Sequence, residues 1–280
     1  MIRIPQISGR ISRPLEQTGF YLVILIILLA FVFPFIWMIL ASLKTQADII
    51  GVDRLFIFRP TLDNYRDVLA GQKFPLYILN SLIIGAGATL AALALGLPAA
   101  FAIARYGLKK LALVVLLVKI IPGITFLIPW FTLFSKMHMI DTYPALILAH
   151  MLVALPYIVW IMIPFFESMA VEIQESALID GCSPYQMFRK VVLPISAPGA
   201  ITCSLLSFIH SWNNFLFSLV LSGNKTKTLP VAIFNFLTDA EINWGGVMTA
   251  ACIIMTPVVI VSLLSQRYIV SGLSAGAVKG

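Results

Sequence analysis

The 280-residue sequence predicts an all-α, multispanning membrane protein with six transmembrane helices and one polar segment between the fourth and the fifth. Three observations predict it. Apolar residues make up 60% of the chain and charged residues only 11%, against roughly 25% charged in an ordinary soluble domain. The mean hydropathy is +0.98. The apolar residues come in uninterrupted runs of about the 20 residues needed to cross a ~30 Å hydrocarbon core, and six such runs leave only short loops and no large extramembrane domain.

The first run, 20–43, contains no charge and holds Pro34, which bends a membrane helix without stopping it when packed neighbours satisfy the freed carbonyl. The second, 80–104, is rich in small residues (Gly85, Gly87, Ala91, Ala92, Gly96) that permit close helix approach in lipid. The third, 111–134, contains Pro122, Gly123 and Pro129; the fourth, 142–166, contains Pro156 and Pro164; 195–221 and 247–270 complete the set. Between the first two, residues 44–76 form the longest loop on one side. Leu62, Tyr65, Val68 and Leu69 give it the periodicity of a short amphipathic helix beginning near Thr61, which would either touch a soluble partner or pack on its own bundle.

Orientation follows from the positive flanks. Arg3, Arg10 and Arg13 precede the first span, Arg105, Lys109 and Lys110 join the second to the third, and Arg267 and Lys279 lie at the carboxyl end. All fall on the cytoplasmic side if the amino terminus is inside. The opposite side holds Lys44, Arg54, Arg59, Arg66 and Lys73, nearly cancelled by Asp48, Asp53, Asp63 and Asp67. Both termini are therefore expected in the cytoplasm, and the basic start MIRIPQISGRISRP is expected to lead into a retained helix rather than a cleaved signal.

The net charge of +7 does not point to nucleic acid, because the cations are scattered singly between apolar runs and form no basic, aromatic-interleaved strip. Cys182, Cys203 and Cys252 have no metal-ligand spacing and are expected to act as small hydrophobes.

The polar segment, residues 167–200, is the most informative stretch. Glu172 and Glu175 share a helical face while Ile173, Ala177 and Leu178 supply an apolar stripe, so 171–180 suits a short helix. Gly181 offers the positive φ that ends it. Ser183, Pro184 and Gln186 then occupy the N-cap, N1 and N3 positions of a second helix, which is expected to expose Met187 and Phe188 beside Arg189 and Lys190. The segment 171–192 holds no nucleophile with a base, no metal triad and no phosphate-cradling loop, so neither catalysis nor a bound cofactor is expected of it. It would dock into a groove on another protein or lie in the lipid headgroups.

Here the sequence resembles the membrane-spanning subunits of ATP-binding-cassette importers, specifically the carbohydrate permeases of the maltose-transporter type, second subunit. Their cytoplasmic signature is matched by "ESALIDG" at 175–181 and "VVLP" at 191–194, with the family's spacing from Gly181 to Pro194. Further matches are "TLDNY" at 61–65, "LNS" at 79–81, "AIAR" at 102–105, "SWNNFLF" at 211–217, "TLPVAI" at 228–233 and "QRYIVSGLSAGAVKG" at 266–280. The chain departs from the pattern at Ser176, at Ala170 where a proline is usual, and at Ser271 where an arginine is common.

The resemblance implies a type I importer permease fold in the bacterial inner membrane. It also implies a homologous second permease, two cytoplasmic ATPase subunits that bind ATP and Mg, and an extracytoplasmic solute-binding protein that delivers a sugar. Glu172, Glu175, Ala177, Asp180, Gly181, Met187 and Phe188 would then couple the permease to the ATPase, with the tail 271–280 reaching the same partner.

The fifth span carries Ser207, His210, Ser211 and Asn214, three of which, Ser207, Ser211 and Asn214, fall on one side at steps of three or four. Such a stripe should face protein or a cavity, serving interhelical hydrogen bonds or a sugar path. Lys119 lies nine residues past Lys110, about 13 Å into the membrane at 1.5 Å per residue. It would snorkel, pair with a partner's carboxylate, or face the translocation cavity. His150 is expected to be a packed or bridging residue. The rivals are a secondary transporter, which would need its own ion site and often shows inverted repeats, and a membrane enzyme. Neither the hairpin motif nor the absence of clustered His, Asp and Glu favours them.

Overall fold

A computed structural model describes residues 12–51, 54–71, 73–237 and 242–277. Arg3, Arg10, Asp53 and Lys279 lie outside the described residues, as do the side chains of Arg13 and Arg267 and those of the tail 271–280. The described residues are helical almost throughout. The helices are α1 (Ser12–Ser42), α2 (Gln46–Ile50), α3 (Asp63–Arg66, extended by a π-helical turn over Asp67–Gly71), α4 (Phe74–Tyr106), α5 (Lys109–Ile120), α6 (Leu127–Lys136) and α7 (Tyr143–Glu167). There follow α8 (Val171–Ile179), α9 (Pro184–Met187, extended by a π-helical turn over Phe188–Val192), α10 (Leu193–Ile195), α11 (Ala197–Trp212), α12 (Leu216–Leu221), α13 (Leu229–Ala232) and α14 (Trp244–Ala277).

Among the described residues, stretches of α1, α4, α7 and α14 are each long and apolar enough to cross a bilayer. Two bent pairs bring the number to six if each counts as one span. Lys109–Ile120 meets Gly123–Lys136 at 90°, and Pro184–Ile195 meets Ala197–Trp212 at 79°. The first bend follows from Pro122, whose ring drives the preceding residue out of the helical region: Ile121 sits at ψ 123°. The expected third span is thus a broken one. The fifth is also interrupted, between Trp212 and Leu216, so that Asn214 lies in a break rather than on a helical face. The helix α4 starts six residues before the expected boundary, with Pro75 in its first turn where a missing N–H costs nothing.

The bundle is organised around α4 and α7. Their approach is close because a Cβ at Gly87 would come within 2.8 Å of Ile147 and one at Gly96 within 2.9 Å of Ile158. The space is filled by Ala92, Ala100, Ile158, Met162 and Phe166, with α11 closing the third side. By contrast α1 rests on α14, and its apolar stretch is otherwise uncovered by the chain.

At the end opposite residues 171–192 the loops are clasped by polar side chains. The helix expected near Thr61 packs on its own bundle, with Val68 buried. Asn64 Nδ2 donates to the carbonyls of Ser42 (2.8 Å) and Lys44 (2.7 Å). Asn80, also buried, donates to the carbonyls of Lys225 (3.0 Å) and Lys227 (2.9 Å) while its oxygen accepts from Tyr143 Oη (2.7 Å).

Asp141 accepts from the backbone N–H groups of Gly223 (2.8 Å), Lys225 (3.1 Å) and Thr226 (2.9 Å) and from the Thr226 hydroxyl (2.8 Å). Burial raises its pKa, but the bonds from Thr226, Lys225 and Gly223 together hold it below the ordinary value of 3.8. A carboxyl depressed on folding stabilises the fold above its unfolded pKa, and that stabilisation is lost as pH falls through the folded value. Thermal unfolding measured between pH 3 and 7 is expected to show an acid-side drop below about pH 4 that is smaller in Asp141→Asn, whose Tm is lower at neutral pH.

Candidate functional site

Residues 171–192 form the helical hairpin expected. Gly181 sits at φ 85°, in the left-handed region where a side chain would be strained. Ser183 and Gln186 close a full capping box: the Ser183 hydroxyl accepts the Gln186 N–H (3.3 Å) and Gln186 Oε1 accepts the Ser183 N–H (2.9 Å). Two of the departures from the family pattern, Ser176 and Ala170, are accommodated. The Ser176 hydroxyl donates to the Glu172 carbonyl at 2.8 Å, and Ala170 holds φ −56°, within the range a proline would impose.

The faces differ from expectation. Met187 is 1% exposed, and the Phe188 ring packs 5.2 Å from Phe101 and 6.5 Å from Phe166, so both anchor the hairpin to α4 and α7 instead of being offered to a partner. Ala177 and Leu178 of the expected stripe do face inward, but Gln174 joins them in place of Ile173, which is exposed. A glutamine is buried there because the Arg105 guanidinium, at the foot of α4, donates to its Oε1. Glu172, Glu175 and Asp180 face outward. The hairpin's outer surface is capped by two side chains that periodicity did not single out, Ile179 at 86% and Tyr185 at 68% exposure. Their positions on either side of the Gly181 turn were the available signal.

The helix breaks enclose a second feature. A cavity of about 1080 Å³ is bounded by the end of α5, the Pro122–Gly123 bend, α6, α7, α11 and the Asn213–Phe215 break. Lys119, Ser207, His210 and Asn214 all line it. The Lys119 ammonium lies over the rings of Tyr157 (4.4 Å) and Trp160 (4.3 Å), and the His210 ring packs 5.4 Å from Tyr157. Asn214 Oδ1 also accepts the Phe217 N–H at 3.1 Å, capping α12.

Ser211 is not in the cavity. Its Oγ lies 2.7 Å from His150 Nδ1, and the other ring nitrogen is 3.4 Å from Ser218 Oγ, so this residue serves an interhelical hydrogen bond and His150 bridges α7 to α11 and α12. The far wall is aromatic: Trp130 packs between Phe126 (5.7 Å) and Phe217 (5.0 Å). These rings escaped the sequence reading because only the 90° bend brings α6 against α12. Among the described residues no group of three or more His, Cys, Asp or Glu could hold a metal ion.

A hairpin at one end of a helical bundle and a cavity within it both fall inside residues 92–275, which match the family described as "Binding-protein-dependent transport system inner membrane component". The chain belongs to that family. Among its relatives in this inner-membrane-component family, the probable ABC transporter permease protein y4oR of Sinorhizobium fredii is 34% identical over 97% of this chain and 98% of its own length. The trehalose/maltose transport system permease protein MalG of Thermococcus litoralis is 37% identical over 89% and 91%. The trehalose transport system permease protein SugB of Mycobacterium tuberculosis is 36% identical over 88% and 92%. The fold matches that of a chain of a bacterial ABC transporter involved in the import of the acidic polysaccharide alginate, with TM-score 0.76 and 20% identity over 94% of this chain and 99% of that one. This is the all-α permease fold of type I importers.

Proposed function

We propose that the chain is one of the two membrane-spanning subunits of a binding-protein-dependent, ATP-driven sugar importer, of the maltose-type second-permease kind. It supplies half of the translocation pathway and carries no ATPase site itself; ATP and Mg are held by two cytoplasmic partner subunits. The observation that carries the reading is the hairpin: a rigid element anchored by Arg105–Gln174, Met187 and Phe188, and presenting Ile179 and Tyr185 outward among Glu172, Glu175 and Asp180. Two exposed apolar side chains within a polar rim have the make-up of an interface anchor.

The basic flanks support a reading in which this end, with both termini, faces the cytoplasm of an inner-membrane protein. A solute-binding protein then delivers substrate at the opposite end, where Asn80 and Asp141 hold the loops rigid. The relatives named for trehalose and maltose transport support a sugar as cargo, and so does a cavity that combines aromatic faces with hydroxyl, amide and imidazole groups. Purification through a tag on this chain in mild detergent is expected to bring down a second, homologous permease and an ATPase. A chain that purifies alone, in a form competent for uptake, contradicts the proposal and favours a secondary transporter.

A further inference from the structure

We infer that the cavity is built for a sugar bearing an anionic group, a carboxylate or a sulfonate, with Lys119 as the residue that receives it. The inference rests on the importer reading and goes beyond it by naming the class of sugar.

Among the described residues that line the cavity there is a lysine and a histidine but no aspartate or glutamate. The ion pair found among the described residues, Arg54–Asp48, is in a loop near the chain's first helices. Lys119 is therefore a cation within the expected third span with no carboxylate beside it among the described residues. Its ammonium is held between the faces of Tyr157 and Trp160. Ring faces stabilise a cation without neutralising it, so the site keeps a positive field of the kind that draws an anion into a low-dielectric cleft.

A second observation is independent of the charge. Ser207 borders the cavity, its residue is 2% exposed, and its hydroxyl oxygen is buried behind the wall with no hydrogen-bond partner among the described residues. A buried polar group without a partner costs free energy, which a ligand hydroxyl recovers once the Ser207 side chain turns towards the cavity. Lys119 for the acidic substituent, Ser207 for a ring hydroxyl and the Trp130–Phe217 wall for the apolar face of a sugar ring are the groups such a ligand needs. About 1080 Å³ is at the upper end of ordinary small-molecule sites and has room for more than one sugar ring.

The test uses the complete importer, with both permeases and the ATPase, in nanodiscs. Equilibrium binding is measured for a glucuronate-terminated disaccharide and for its glucose-terminated counterpart. The expected result is at least tenfold tighter binding of the acidic disaccharide, a ratio that Lys119→Arg keeps and Lys119→Met brings towards one. In the unsubstituted complex the advantage is also expected to shrink as salt is raised from 50 to 500 mM, a readout that needs no variant to fold. Equal affinities in the unsubstituted complex, or a ratio unchanged in Lys119→Met, overturns the inference and leaves the sugar-importer reading standing. Binding of neither disaccharide overturns both.

Discussion

Introducing Ile179→Asp and Tyr185→Asp together is expected to abolish ATP-driven uptake by separating the ATPase from the membrane subunits. The two side chains are 86% and 68% exposed, so their replacement leaves the hairpin's own packing intact; surface changes of this kind usually alter stability by about 0.5 kcal/mol or less. At an interface the same positions are anchors, and truncating one such residue costs about 2 kcal/mol or more. Burying a carboxylate in its place costs further. A fall of more than about a hundredfold in ATPase affinity is expected, read by titrating purified ATPase onto the permease pair, with an unchanged unfolding temperature. The contrast is Phe188→Ala, which is expected to lower the unfolding temperature because it empties the contact with Phe101 and Phe166.

The second large effect is expected at the other end, from Asn80→Leu. This buried amide holds two backbone carbonyls of the 225–227 turn and the Tyr143 hydroxyl at once. Leucine leaves all three without that partner, and each buried group so orphaned costs about 1–3 kcal/mol. A loss of roughly 3–5 kcal/mol follows, allowing for partial rescue by water. In a domain of this size that corresponds to a fall of about 10 °C in the unfolding temperature, measurable in detergent by intrinsic fluorescence. An unchanged Tm shows that the loop is held by its other contacts, the Asp141 carboxylate accepting from the Lys225 and Thr226 N–H groups and the Ser81 hydroxyl accepting the Leu229 N–H at 2.9 Å.

Much of the fold was legible because the lipid phase demands long apolar runs. The helices α1, α4, α7 and α14 stand where those runs are. The bends were legible only in part. Pro122 and Gly123 were visible, but a proline in a membrane helix bends or breaks it according to what its neighbours satisfy. The neighbours of this bend, such as Phe217 beside Gly123, come from a helix almost a hundred residues further on. The same holds for Lys119. Its depth could be counted along α5, whereas Tyr157 and Trp160 belong to α7 and give no local signal.

In the hairpin, the Gly181 turn and the Ser183–Gln186 capping box are local and were foreseen. On α8 the inward place of Ala177 and Leu178 was foreseen and that of Gln174 in place of Ile173 was not. The burial of a glutamine depends on Arg105, seventy residues away in the sequence. Of the two uses open to the stripe, Ser211 takes the interhelical bond, and Asn214 leaves the stripe because the step from Ser211 to Asn214 assumes an unbroken helix while α11 ends at Trp212.

The most direct test of the central claim is uptake of radiolabelled sugar by proteoliposomes that contain this chain with its copurifying permease and ATPase, and the solute-binding protein outside. Accumulation is expected only with ATP and Mg inside the vesicles and only when all partners are present, with no response to an imposed proton or sodium gradient. Accumulation driven by such a gradient in vesicles holding this chain without the ATPase would contradict the claim.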